Sequence, residues 1–452
     1  MRSVLRNRTY RRLFTAQIVA LAGTGLATVA LSLLAYDLAG ADASAVLGTA
    51  LAIKMVAYVG LAPLVGALAD QLPRRTLLVT MDLTRAAVAL ALPFVDQVWQ
   101  VYVLIFLLQA ASAAFTPAFQ ATIPQILPAE RDYVRALSLS RLAYDLESLL
   151  SPALAAGLLT LTSYHWLFTG TAAGFLASAA LVVSVTLPAP RPVERSGGRC
   201  AKATYGTRLY WATPRLRALL ALHLAAAAAG SLVLVDTVVL VRDGLHRGAG
   251  DVSLALGAFG AGSMVTALVL PRVLERVGDR AVMLPAGFFL GAVLAGCAVG
   301  LARDVWSWAG LLSAWGLLGV GTSMVLTPVG RLIRCSAAPA DLPAAFAAQF
   351  ALSHSCWLLT YPLAGRLGAA AGMPVAAVTL AALALAAATG AVLLWPAHDP
   401  AGRTHVHTGL PEGDSHLADA RPGPHGWRHT HIYVIDARHP RRSAPGRTAG
   451  SH

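Results

Sequence analysis

The sequence predicts an all-α membrane protein of twelve transmembrane helices in two pseudo-symmetric six-helix halves. Three observations predict it: an excess of apolar residues, twelve apolar runs of crossing length, and an internal repeat. Of 452 residues, 56% are hydrophobic and 13% charged, about half the charge of a typical soluble domain, roughly 25%. Mean hydropathy is +0.62. This composition excludes an ordinary cytosolic enzyme and a disordered chain.

The runs lie near 12–38, 44–69, 76–95, 98–121, 138–162, 165–187, 215–241, 252–271, 281–301, 305–330, 343–368 and 373–396. Each approaches or exceeds the roughly 20 residues that cross a bilayer as a helix. They are continuous rather than alternating, so helices are the spanning form. Met1–Arg12 is basic and leads directly into the first run, so no cleavable leader is expected. Cys200 and Cys335 fall in polar stretches, Cys297 and Cys356 in apolar ones, and no spacing suggests a disulfide framework.

The net charge is +13, from 33 Arg and two Lys against 22 acids. Arg2, Arg6, Arg8, Arg11 and Arg12 precede the first run, Arg74 and Arg75 follow the second, and Arg131 and Arg135 the fourth. Arg272, Arg276 and Arg280 follow the eighth, and Arg331 and Arg334 the tenth. The alternate loops hold Arg242, Arg247 and Arg303. The positive-inside rule therefore predicts a plasma-membrane protein with both termini cytosolic, its basic charge facing lipid headgroups and not nucleic acid.

The repeat aligns Gly66–Arg75 after the second run with Pro271–Arg280 after the eighth. Thr116-Pro117 corresponds to Thr327-Pro328, and Ser151-Pro152 to Tyr361-Pro362, at offsets between 205 and 211 residues. The division predicted is a first half at 1–187, a cytosolic linker at 188–214, a second half at 215–396 and a disordered His-rich cytosolic tail at 397–452. Parallel repeats of this kind place a transport path between the halves.

Gly66, Leu68, Asp70, Arg74 and Arg75 resemble the signature loop of the major facilitator superfamily, with Pro73 in place of the usual Gly. The resemblance covers about 1–396 and implies the fold of that family, in which Asp70 and its Arg neighbours help latch the cytosolic side. Asp82 and Arg85, early in the third run, sit where the charges of that loop could be paired.

Charges inside spans are costly and are therefore candidate functional groups. Asp37 closes the first run, and Lys54 lies about ten residues into the second. The fifth run holds Arg141, Tyr144, Asp145 and Glu147. Arg141 and Asp145 share a helix face at a spacing of four. Asp145 and Glu147 point apart, about 200° around the helix, so one pairs with Arg141 or Lys54 and the other is free for a cation or proton. His223 and Asp236 occupy the seventh run, and His354 and Cys356 the eleventh. Imidazole and thiolate suit divalent transition metals; a packing histidine is the alternative at His223 and His354.

Nine of the thirteen histidines lie in 397–452, including His405, His407, His416, His425, His429 and His431. His405-Val-His407 and His429-Thr-His431 are paired donors, suited to Ni, Co or Zn. An Arg-rich tail drawn to anionic lipid is the competing expectation. A His-rich tail on this fold resembles the bacterial nickel-resistance exporters, as does the Tyr144–Pro152 run. The linker run Tyr205–Trp211 with Pro214–Arg217 is shared with relatives that export siderophores. The resemblance implies export of a divalent metal, nickel first, in exchange for protons; a proton-coupled drug or siderophore exporter is the alternative. No phosphate-binding G-x-x-x-x-G-K-[ST] loop and no nucleophile–base pattern occurs in the sequence, so neither catalysis nor a cofactor is expected.

Overall fold

The computed structural model describes residues 2–61, 73–127, 132, 136, 139–140, 143, 147, 151, 154–155, 157–187, 199–337, 342–397, 402–407, 421–423 and 426–432. Helices occupy eleven of the twelve predicted runs. The first span is Arg8–Ala39, the second Ala43–Val56 continued by a π turn at Ala57–Leu61, the third Arg74–Ala91 and the fourth Val98–Ile126. The sixth is His165–Val183. The seventh begins with Pro214–Ser231 and runs through π turns at Leu232–Asp236 and Leu240–Gly244. The eighth to twelfth follow as Ala249–Leu274, Asp279–Ala302, Trp308–Leu326, Leu342–Ala371 and Met373–Leu394. The described part of the fifth run is too scattered to bound an element. Among the described residues, nine helical stretches are long and apolar enough to cross a membrane.

Local chemistry sets the ends. Asn7 and Ser307 accept from the backbone N–H three residues on, each at 3.1 Å, and so cap the first and tenth spans. Asp251 reaches back to the Gly248 N–H at 3.1 Å to start the eighth. Gly40, at φ 55°, ends the first span in a conformation that a side chain would strain.

The repeat reappears in the packing. The sixth span packs on the first and third; the twelfth packs on the seventh and ninth. The fourth packs on the second and third, as the tenth does on the eighth and ninth. Arg75 donates to the Val183 carbonyl at 2.5 Å, ending the sixth span, and Arg280 donates to the Trp395 carbonyl at 3.4 Å, ending the twelfth. Arg12 joins the first of these through Ser184 O at 2.7 Å. A cation at a helix C-terminus satisfies unpaired carbonyls and meets the negative end of the dipole. The loop arginines thus have a structural task beside orientation. Leu268, Val265 and Leu393 lie exposed on the outside of the bundle, as lipid-facing positions do.

In the C-terminal segment, where disorder is expected, the described residues include three strands. Gly402–His407 (β1), Arg421–Gly423 (β2) and Gly426–Ile432 (β3) form an antiparallel sheet of order β1-β3-β2. His405 stands directly opposite His429 in the register. The segment lacks a periodic apolar face, but Thr404, Val406, Trp427, Thr430 and Ile432 are strand formers, and a ladder satisfies the backbone without a large core.

Candidate functional site

Among the described residues, the second and eleventh spans form the main contact between the halves, and along it they meet in two different ways. Toward one end the meeting is closed by small residues. A Cβ on Gly48 would lie 2.6 Å from the Tyr361 carbonyl, and one on Gly365 would overlap the Ser44 carbonyl. Only glycine lets the two backbones approach this closely. Beside this seam Tyr36 of the first span donates to Asp243 of the seventh, and the Arg242 guanidinium covers the Tyr36 ring at 4.9 Å. Asp236 is fully buried between these contacts.

Further along the same two spans the contacts are polar and aromatic. Lys54 precedes the π turn that carries Tyr58, and its ammonium lies 5.8 Å from the Tyr58 ring centre. Tyr58 meets His354 edge-on at 5.5 Å and Phe350 at 6.1 Å. Glu147 comes from the fifth run; its Oε1 would sit 2.8 Å from a Cβ on Gly25, so the first span leaves room for the carboxylate. The Lys54 and Glu147 charges are close enough to act on each other, and Lys54 also acts on His354. Lys54, Tyr58, Glu147 and His354 are each partly exposed, halfway along their spans by residue count. His354 Nδ1 lies 2.7 Å from the Phe350 carbonyl. Nδ1 therefore carries the proton, and Nε2 presents a lone pair to a ligand.

The remaining candidates are placed elsewhere. His223 has both nitrogens engaged: Nδ1 with Leu219 O at 3.1 Å, and Nε2 with Gln349 Nε2 at 3.1 Å. Gln349 in turn accepts from Tyr210 at 2.5 Å. His223 thus ties helix Arg199–Ala212 and the eleventh span to the seventh. The Cys356 thiol is buried and faces the carbonyls of Leu352 and Leu220 at 3.6 and 3.9 Å, away from His354. Asp37, predicted as a substrate or coupling group, accepts from Tyr164 at 2.5 Å at the exposed end of the first span. Burial and that carboxylate push the Tyr164 hydroxyl well above its ordinary value.

Of the gating group, Asp82 and Arg85 are buried and pair with each other. Ser178 adds a hydrogen bond to Asp82 at 2.7 Å, and Phe115 and Phe175 flank the guanidinium at 4.3 and 4.5 Å. This arrangement holds the third, fourth and sixth spans together. Arg74 is buried at the start of the third span, and Arg75 caps the sixth. Gly66, Asp70, Arg141, Asp145, His416 and His425 lie outside the described residues. Among the described residues no three His, Cys, Asp or Glu groups gather as a metal centre. Tyr58 was missed by sequence reading, although it is four residues after Lys54 and so on the same helix face. Tyr36, Ser44 and Asp243 carried no signal, because their importance lies in a contact between distant spans.

The nine described helical stretches long and apolar enough to cross a membrane define a multi-span membrane protein. The sequence profile of the Major Facilitator Superfamily matches residues 13–241, and the chain belongs to that superfamily. The uncharacterized MFS-type transporter YfiS of Bacillus subtilis (strain 168) is 30% identical over 122 residues, which span 27% of this chain and 29% of that relative. A bacterial homologue of the human lysosomal transporter Spinster, in an inward-facing and unoccupied conformation, aligns with a TM-score of 0.66 at 12% identity, covering 86% of this chain and 96% of its own. A POT family transporter in complex with 5-aminolevulinic acid gives the same values. The nucleoside transporter NupG aligns at 0.65 and 13% identity over 86% and 100%. These likenesses extend to the fold.

Proposed function

We propose that the protein is a proton-coupled exporter of a divalent transition metal, nickel ahead of cobalt or zinc, in the plasma membrane with both termini cytosolic. The observation that carries this reading is the gathering of Glu147, Lys54 and the free Nε2 of His354 between the halves. A carboxylate and a neutral imidazole are two donors to which Ni(II) or Co(II) adds water. Before cargo binds, Lys54 supplies the countercharge to Glu147. An arriving cation competes with the ammonium for the same carboxylate, and release is aided when a proton takes the place of the metal. The resemblance to nickel exporters and the cross-strand pair His405–His429 support the choice of metal. The His-rich segment then acts as a metal buffer or delivery arm, held beside the site at about millimolar effective concentration.

A second reading is favoured by Lys54 itself. A fixed ammonium repels a bare cation but attracts an organic anion, and Tyr58 and Phe350 offer aromatic faces to a larger solute. On this reading the cargo is an anionic drug or a siderophore-like chelate. Everted vesicles distinguish the two: labelled nickel accumulates under an acid-inside gradient on the first reading, without any added chelator. Nickel accumulation that appears only with an organic chelator supports the second, and no accumulation of either defeats both.

A further inference from the structure

The seam between the second, seventh and eleventh spans contains a carboxylate with no part in the cargo site. Asp236 is fully buried, at the end of the π turn Leu232–Asp236. Ser44 lies against it from the opposite half. Gly368 borders it so closely that a Cβ there would sit 3.0 Å from Asp236 Oδ1, and Met373 borders the same space. Among the described residues neither Asp236 oxygen, nor the Ser44 hydroxyl oxygen, has a hydrogen-bond partner. The titratable groups on the elements packed around it are occupied or turned elsewhere. Arg242 and Asp243 of its own span engage Tyr36. Lys54 of the second span acts on Glu147, and His223 of the seventh is bonded to Leu219 and Gln349. On the eleventh, His354 is bonded to Phe350 and Arg366 is exposed. Tyr361, also on the eleventh, is buried against Trp357 at 5.0 Å. Asp251 of the eighth pairs with Arg247 at 3.4 Å.

An ionised carboxylate sealed in this interface without a countercharge is strongly disfavoured. A protonated one is tolerated, and the Ser44 hydroxyl lies beside it. We propose that Asp236 and Ser44 form a proton site that locks this seam. Closing the halves takes one proton from the adjoining water onto the Asp236 carboxylate; losing that proton leaves a charge that must be hydrated, and the seam opens. The glycine contacts at 48 and 365 make the lock sensitive, because backbones this close admit no water between them. The proposal requires that the two halves alternate, and it is independent of the cargo. Its failure would leave metal export standing, and failure of metal export would leave the lock standing.

The test uses full-length protein in nanodiscs, with Cys200, Cys297, Cys335 and Cys356 replaced by Ser and spin labels on Asp42→Cys and Gly250→Cys. Asp42 is exposed and Gly250 has open space for a side chain, and the two lie in opposite halves at the seam end. The label distance should lengthen as the pH rises from mildly acidic to mildly alkaline. Asp236→Asn, neutral at every pH, should hold the short distance throughout. Ser44→Ala keeps the carboxyl but removes the hydroxyl that favours its ionised form, and should move the midpoint to higher pH. An Asp236→Asn protein that opens with the wild-type pH dependence overturns the proposal. So does wild-type closure driven by sodium at fixed pH and indifferent to protons. If Asp236→Asn fails to insert, an unmoved midpoint in Ser44→Ala overturns it instead.

Discussion

The second and eleventh spans meet twice, and the two meetings are built from opposite materials. At Ser44, Gly48, Tyr361 and Gly365 the backbones touch and a methyl group does not fit. Ten residues along the second span, about 15 Å at the rise of a helix, Lys54 and Tyr58 face His354 and Phe350 with long, partly exposed side chains. The first meeting is dry, so its stability depends on fit. The second is polar, so its behaviour depends on charge. One helix pair therefore carries both a closure and a binding site, and a rotation that separates one meeting alters the other. The comparison teaches that small residues in a span can matter as much as its charges.

The comparison is broken most severely at the polar meeting. Glu147→Ala should leave the Lys54 ammonium without a nearby countercharge inside a span, where an uncompensated charge is costly. Thermal unfolding in detergent should show the loss, and the double variant Glu147→Ala with Lys54→Met should recover most of it. A double variant no more stable than the single one would separate the two residues. At the dry meeting Gly365→Val should wedge the backbones apart at a cost of about 1–3 kcal/mol, read as a shift toward the open state in the spin-label distance. An unchanged distance distribution would show that the seam has slack.

Smaller effects sharpen the contrast. His354→Ala should reduce metal transport per folded molecule by about tenfold or more, the equivalent of losing about 1.4 kcal/mol of cargo binding, while protein abundance stays near wild type. Equal falls in abundance and transport would make His354 a packing residue. The smallest effect belongs to the C-terminal sheet. His405→Ala with His429→Ala should weaken metal binding by the segment several-fold and leave transport by the body unchanged at saturating metal. Isothermal titration and vesicle transport, read on the same variant, check both halves of that statement.

The span positions were legible because a bilayer imposes length and apolarity on a continuous run, and because Arg75 and Arg280 recur at one offset. Asp236, Glu147, Lys54 and His354 stood out as polar groups in apolar surroundings. Their partners did not. Whether a carboxylate meets Lys54 or an empty seam depends on which helices cross, and a helical period does not encode that. His223 illustrates the gap: in sequence it resembles His354, yet Gln349, 126 residues away, uses its second nitrogen. The strands at 402–407 and 426–432 were hidden because cross-strand pairing is non-local and the segment has no apolar stripe.

Nickel uptake into everted vesicles, driven by an acid-inside gradient and normalised to folded protein, tests the central claim most directly. The comparison needed is wild type against Glu147→Gln, which keeps the size of the side chain and removes its charge. The account predicts that wild type concentrates nickel and that Glu147→Gln, though inserted and folded, does not. Nickel concentrated equally by both proteins would contradict it.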